Sequence, residues 1–338
     1  VSAARIPGAD EELTARVSDG LARVAARLEE VVDHDDPFVA EANLHLARAG
    51  GKRFRPLLTL LASEVGDGWD ERVVDAAVGV ELTHLASLYH DDVMDEAELR
   101  RGVSSANARY GNATAILVGD LLFGTASSVV AGLGAEAVRI QADTFVRLCA
   151  GQIRDDRQSA AAPTLGAGEG HDAAVEAYLS ILADKTGALI ATAARYGAMF
   201  GGCDERTVRT LTDYGETLGV VFQLADDLLD VASEADASGK TPGTDLREGK
   251  ATLPVLYARG STDPADARLQ ELIAGPIQDP AELAEALDLL RAHPAMTAAR
   301  ERTLAMAGQA RALLEELDPS PAVEALRALV DGVADRSS

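Results

Sequence analysis

Residues 84–101 read His-Leu-Ala-Ser-Leu-Tyr-His-Asp-Asp-Val-Met-Asp-Glu-Ala-Glu-Leu-Arg-Arg and place three aspartates beside two arginines. On a helix Asp91 and Asp95 lie four apart and share a face, with Asp92 angled beside them, so the carboxylates converge on one region of space. Such a cluster repels itself without a counter-charge. Hard divalent cations take oxygen ligands, and Mg2+ is usually held by one or two carboxylates while substrate phosphates fill other positions. The stretch therefore asks for Mg2+ and a phosphorylated ligand. The spacing recurs at Asp226, Asp227 and Asp230, within Gly-Val-Val-Phe-Gln-Leu-Ala-Asp-Asp-Leu-Leu-Asp at 219–230. One acidic triplet is ordinarily a solvated helix face. Two in strongly apolar sequence, where charge is disfavoured, point to a task.

Cations accompany both triplets. Gly50-Gly51-Lys52-Arg53-Phe54-Arg55-Pro56 offers two glycines, which permit a turn and close approach of a ligand, and then three cations suited to a diphosphate. Taken alone it reads as a helix start with solvated basic residues. Arg100-Arg101-Gly102 adds two guanidiniums, the groups best shaped to grip phosphate oxygens. Asp184-Lys185-Thr186-Gly187 lies in a later helical stretch, and a Gly-rich polar segment, 232–251, carries Lys240, Asp245, Arg247 and Lys250 like a flap over a phosphate. Two carboxylate clusters facing each other across a cavity would hold several Mg2+ ions around one diphosphate, with Lys185, Lys240 and Arg100 completing its neutralisation. A diphosphate so neutralised is a good leaving group. Lys52, Arg53, Arg55 and Arg101 then form a second anion site, which implies two diphosphate substrates. The pair Asp155-Asp156 lacks a third carboxylate four residues on and reads as a polar helix face.

The elements that must position these groups are helices. Leu13, Val17, Leu21, Val24, Leu28 and Val31 recur at three- and four-residue steps over 9–32, and helical patterns follow at 38–49, 55–61, 71–100, 112–131 and 136–158. The polar stretch His34-Asp35-Asp36-Pro37 separates the first two. Segment 159–172 reads as a surface loop, and 252–338 is helical with no evident chemistry. No alternating strand pattern stands out. Of 338 residues 47% are apolar, enough for a substantial core, and the net charge of −24 argues against nucleic acid as a partner. Cys149 and Cys203 lack metal-ligand spacing and are expected to be core thiols. With no basic leader and no apolar run of about twenty residues, no membrane span and a cytoplasmic location are expected.

These motifs together resemble the trans-isoprenyl (polyprenyl) diphosphate synthases. The Gly-Gly-Lys-x-x-Arg-Pro segment, both Asp-Asp-x-x-Asp motifs, Arg100-Arg101-Gly102, Lys185-Thr186, Phe222-Gln223 and Gly239-Lys240 stand in the family's order between about residues 50 and 254. The resemblance implies an all-α, single-domain bundle over 1–338 around a deep central cavity, usually a homodimer. It implies that Lys52, Arg55, His84 and Arg101 hold the diphosphate of isopentenyl diphosphate. Asp91, Asp95 and Asp226 would coordinate Mg2+ on the allylic diphosphate, with Asp92, Asp227 and Asp230 in support, while Arg100, Lys185, Thr186, Gln223 and Lys240 contact the allylic substrate. The implied reaction is head-to-tail condensation by ionisation, attack of the isopentenyl double bond and proton loss. Ser104 stands where a proline is frequent and Gln152 where an acid is often found, and neither touches these roles.

Product length follows from the residues before the first aspartate. In this family a bulky residue four or five places earlier stops growth, and here those places hold Ser87 and Ala86. At ~1.5 Å per residue, Ser87, Thr83 and Gly79 lie about 6, 12 and 18 Å below Asp91 and would line a slot several isoprene units deep. A medium or long product, such as a quinone side-chain precursor, is expected, with Tyr89 and Phe123 as the residues able to block the path. A class I terpene cyclase shares the first motif but needs no isopentenyl site. A non-catalytic partner subunit would not need both aspartate sets intact.

Overall fold

The protein is described by a computed structural model covering residues 6–51, 53–161, 171–233 and 242–337, with the side chains of 158–161 and 337 excepted. Lys52, Lys240 and residues 162–170 of the expected surface loop lie outside the described residues. The chain runs through α1 (Glu11–Val32), α2 (Pro37–Arg48), α3 (Phe54–Ser63) and α4 (Glu71–Met94), then a hairpin of β1 (Leu99–Arg100) and β2 (Val103–Ser104). It continues with α5 (Ala106–Tyr110), α6 (Asn112–Ala131), α7 (Ala135–Ala161) and α8 (His171–Leu182), then a π-helical turn at Ala183–Gly187, α9 (Ala188–Phe200) and α10 (Glu205–Ala232). The remainder is α11 (Thr244–Glu248), α12 (Leu253–Arg259), α13 (Ala267–Leu272), α14 (Pro280–Ala292), α15 (Pro294–Leu314) and α16 (Pro321–Ala334). The fold is all-α.

Local chemistry starts the helices where they begin. The Asp10 carboxylate accepts from Leu13 N at 2.7 Å, Asp36 caps α2 ahead of Pro37, and Asp70 accepts from Arg72 N and Val73 N to open α4. The chain groups into two compact units, one of Val1–Phe145, Leu189–Gly215 and Glu316–Arg327, the other of Val146–Ala188, Glu216–Glu315 and Ala328–Ser338.

In the first unit α4 is apolar nearly all round, with Val73, Val74, Ala77, Val78, Leu82, Leu85 and Tyr89 buried, and it packs against α1, α3 and α6. Gly197 on α9 lets that helix press on α3, since an added Cβ would stand 2.1 Å from Thr59 O. The second unit gathers Leu179, Leu224, Leu228, Leu253, Leu256 and Leu290 into one core.

Four expectations change. The helix expected over 71–100 ends at Met94, because Glu96 turns left-handed at φ 49° and the chain then enters the hairpin. Arg101 and Gly102 both have positive φ, 54° and 78°, as a two-residue type I′ loop requires. The helix expected to stop at 158 continues to Ala161, and the next starts at His171. Contrary to the expected absence of an apolar run, α6 is long and apolar enough to cross a membrane by length and composition, with mean hydropathy 1.6. Only Asp120 carries charge in it, and the scattered Asn, Thr, Gly and Ser hide the run from the eye. Cys149 and Cys203 are half-buried free thiols rather than core ones, and burial pushes Cys203 up to about 11.

Candidate functional site

Asp91 and Asp92 occupy the last turn of α4, and Asp95 is its C-cap, with Asp95 N donating to Asp91 O at 2.8 Å. The C-terminal end of a helix is its negative pole, so acids placed there are unfavourable unless a cation joins them. The three aspartates do not share one environment. Asp92 is fully buried and accepts from Arg100 Nε at 2.6 Å, whereas Asp91 is half-buried and Asp95 exposed. Asp92 is thus an ion-pair anchor that ties the hairpin to α4, and Arg100, expected at the substrate, spends its Nε on that anchor.

The I′ turn carries Arg101 back toward α2, where its Nη1 donates to Gly50 O at 2.7 Å and Leu46 O at 3.2 Å. Gly51, at φ 137°, gives it room, since an added Cβ would stand 3.1 Å from Arg101 Cζ. Burial lowers the Arg55 pKa to about 10, with Glu81 opposing the shift and Arg101 adding to it. His84 is pushed well below its ordinary value by burial and then by Arg55, Arg101 and Arg100, so its ring is neutral at pH 7. Four groups suited to an anion therefore come together in the first unit. Arg55 Nε is buried without a hydrogen-bond partner among the described residues. Glu81, 4% exposed, is the acid in this cluster that the sequence reading missed.

In the second unit the π turn carries Lys185 and Thr186. π turns are rare and concentrate at functional sites. Gly151 on α7 allows the approach, since an added Cβ would stand 2.6 Å from Lys185 N. Lys185 Nζ pairs with Asp155 Oδ2 at 2.6 Å. Asp155, expected on a polar helix face, is instead a half-buried partner of the candidate cation, because a residue thirty positions away folds onto it. Thr186 Oγ1 donates to Gln223 Oε1 at 3.3 Å, and Gln223 Nε2 donates to Asp227 Oδ1 at 3.1 Å. Tyr178 OH donates to Asp227 Oδ2. Asp230 accepts from Thr244 N at 3.2 Å and Asp245 N at 3.0 Å, so it holds the start of α11 against the end of α10. Asp226 is half-buried. Asp155, Tyr178, Lys185, Gln223, Asp227, Asp245 and Lys250 line one pocket. Tyr178 is the lining residue with chemistry that carries no signal in the sequence, and Asp155 the one whose sequence context suggests only a polar helix face.

The expected chain-length residues divide. Thr83 lines a cavity of about 270 Å3 with Phe123, Val138, Gln141 and Phe145, and Gln141 Nε2 donates to its hydroxyl at 3.4 Å. Ser87 is half-buried and Ala86 fully buried. Gly79 is no slot wall, because it is pressed on α6 and an added Cβ would stand 2.5 Å from Val130 Cγ2. Tyr89 turns away to α2, its hydroxyl donating to Ala42 O at 2.5 Å, which removes it as a block. Phe123 stands in the cavity wall, its ring 4.2 Å from that of Phe145.

The donor set fits a hard divalent cation. Its carboxylate oxygens are of the kind such cations take, and among the described residues no group of three His, Cys, Asp or Glu side chains is placed to hold a metal ion. Burial raises the Asp227 pKa, with Asp245 adding repulsion, and raises the Asp245 pKa, with Asp230 adding repulsion. A carboxyl whose folded pKa is raised favours folding most at acid pH. That contribution is lost as pH climbs from the ordinary value of 3.8 into the neutral range. A bound cation removes the penalty of ionisation. Mg2+ with inorganic diphosphate is therefore expected to raise the melting temperature more at about pH 8 than at about pH 5.5. Thermal scans at both values check this, and equal gains would contradict it.

The polyprenyl synthetase family matches residues 36–290, which run through both units. A nonaprenyl diphosphate synthase of Mycobacterium tuberculosis is 48% identical over 97% of this chain and 95% of its own. The crystal structure of a geranylgeranyl pyrophosphate synthase from Corynebacterium glutamicum, complexed with calcium and isoprenyl diphosphate, is 40% identical, with a TM-score of 0.84 over 97% of this chain and 98% of that one. A polyprenyl synthase from Caulobacter crescentus, also with calcium and isoprenyl diphosphate, is 32% identical, with a TM-score of 0.87 over 99% of this chain and 100% of that one. With helical fold, paired aspartate motifs and cationic cluster in place, the chain belongs to the polyprenyl synthetase family and is a prenyltransferase.

Proposed function

We propose that this chain is a Mg2+-dependent synthase that condenses isopentenyl diphosphate head-to-tail with an allylic prenyl diphosphate, releasing a trans-polyprenyl diphosphate of medium or long chain. The observation that carries the reading is the buried Nε of Arg55, which finds no hydrogen-bond partner among the described residues, in the cluster with Arg101, Arg100 and His84. Lys52, Arg55, His84 and Arg101 hold the isopentenyl diphosphate. The neutral His84 donates one ring N–H rather than adding full charge.

Asp91, Asp95 and Asp226 hold Mg2+, with Asp92, Asp227 and Asp230 supporting them. When bound, Mg2+ neutralises the allylic diphosphate so that it leaves with the electron pair of the broken C–O bond. Arg100, Lys185, Thr186, Gln223 and Lys240 bind that diphosphate, Lys185 sharing its charge with Asp155. The isopentenyl double bond then attacks the allylic carbon, and the released diphosphate takes the proton that is lost. The whole chain acts as one catalytic domain.

Small side chains at Ser87 and Ala86 and the cavity at Thr83 support a longer product, as does the nonaprenyl diphosphate synthase at 48% identity. The Phe123–Phe145 wall favours a second reading, growth that stops near the length made by a geranylgeranyl pyrophosphate synthase. Sizing the products formed from farnesyl diphosphate and labelled isopentenyl diphosphate decides between them. Ser87→Phe is expected to shift the products to shorter chains, and an unchanged distribution would contradict the slot.

A homodimer in the cytoplasm is part of the proposal. Ile116, Leu117 and Leu121 of α6 are 43%, 67% and 38% exposed. On a chain of net charge −24, which repels its own copies, this nearly uncharged face is where a second copy would sit.

A further inference from the structure

Asp227 is a carboxylate 3% exposed whose two oxygens are taken by two neutral donors, Gln223 Nε2 on Oδ1 and the Tyr178 hydroxyl on Oδ2. Tyr178, itself 6% exposed, lies on α8 one turn before Leu182 and two before Lys185, and all three line the pocket that holds Asp227 and Asp245. The chain Thr186 to Gln223 to Asp227 to Tyr178 thus closes a hydrogen-bonded path from the π turn through α10 and back to α8. Gln223 holds one oxygen from within α10 and Tyr178 holds the other from α8, so the carboxylate's rotamer is set in part from outside its own helix.

We infer that Tyr178 is a positioning residue for the second aspartate cluster. By holding Oδ2 of Asp227 it keeps that carboxylate in a supporting position and leaves Mg2+ ligation in this cluster to Asp226. The inference rests on the proposed function, in which this cluster binds Mg2+ on a diphosphate. A phenylalanine at 178 keeps the ring and its packing but leaves Oδ2 buried without a donor, which frees the carboxylate to turn. Loss of a group that orients a metal site from behind its ligands typically costs about 10–100-fold in affinity for the ion.

The test is Mn2+ binding in the presence of inorganic diphosphate, followed by electron paramagnetic resonance on the full chain. Tyr178→Phe is expected to weaken Mn2+ binding by about 10-fold. If Tyr178 acts through Asp227, the same change made in an Asp227→Asn background should add less than about twofold. Unchanged binding in Tyr178→Phe, or an equal loss in both backgrounds, overturns the inference. An independent arm leaves the fold untouched: 3-fluorotyrosine placed at 178 is expected to shift its fluorine resonance when Mg2+ and inorganic diphosphate are added, and a static resonance overturns the inference. Failure of the parent chain to bind Mn2+ with diphosphate overturns the proposed function itself, and this inference with it.

Discussion

Asp91→Ala is expected to lower the rate of prenyl transfer by about 10²–10³-fold, the scale of losing one group that stabilises developing charge. Folding stability should stay within about 0.5 kcal/mol of the parent or rise slightly. The two effects separate because Asp91 is half-buried at the negative end of α4, where its charge opposes the helix dipole. Steady-state rates at saturating Mg2+, set beside a denaturation curve, check both halves. A variant that lost activity only through unfolding would place Asp91 in the scaffold instead.

Arg100→Ala is expected to differ from it in costing stability as well, about 3–5 kcal/mol. Its guanidinium lies 2.6 Å from Asp92, which is fully buried, so truncation strands a negative charge away from water. Arg100 itself is only 28% exposed, so solvent screens the pair weakly. The double variant Asp92→Asn with Arg100→Ala should recover much of the loss, since the stranded charge is then gone. Chemical denaturation measures all three proteins. A loss below about 1 kcal/mol for Arg100→Ala alone would mean that the pair behaves as an exposed one.

The aspartate triplets were legible in the sequence because their spacing repeats on apolar helical background. The all-α class was legible because strand alternation is weak everywhere and the one hairpin among the described residues has two-residue strands. What the sequence hid has local physical reasons. Asp95, Glu96 and Ala97 are compatible with helix, so nothing in them announces the left-handed turn at Glu96 that ends α4. The π turn at Ala183–Gly187 uses residues that an ordinary helix would also accept. Asp155 reads as a solvated acid until tertiary packing brings Lys185 beside it. Tyr178 reads as one more core aromatic, and only the fold shows that its hydroxyl meets Asp227. Gly79 belongs to the same small-residue stripe as Thr83, yet one presses on Val130 and the other lines a cavity.

The most direct measurement is incorporation of labelled isopentenyl diphosphate into solvent-extractable prenyl diphosphate by the purified chain, with farnesyl or geranylgeranyl diphosphate as primer. It is made with Mg2+ and again after chelation. The expected result is incorporation that requires both the primer and Mg2+ and disappears in Asp91→Ala. Absence of incorporation with every allylic primer, in protein shown to be folded, would contradict the account.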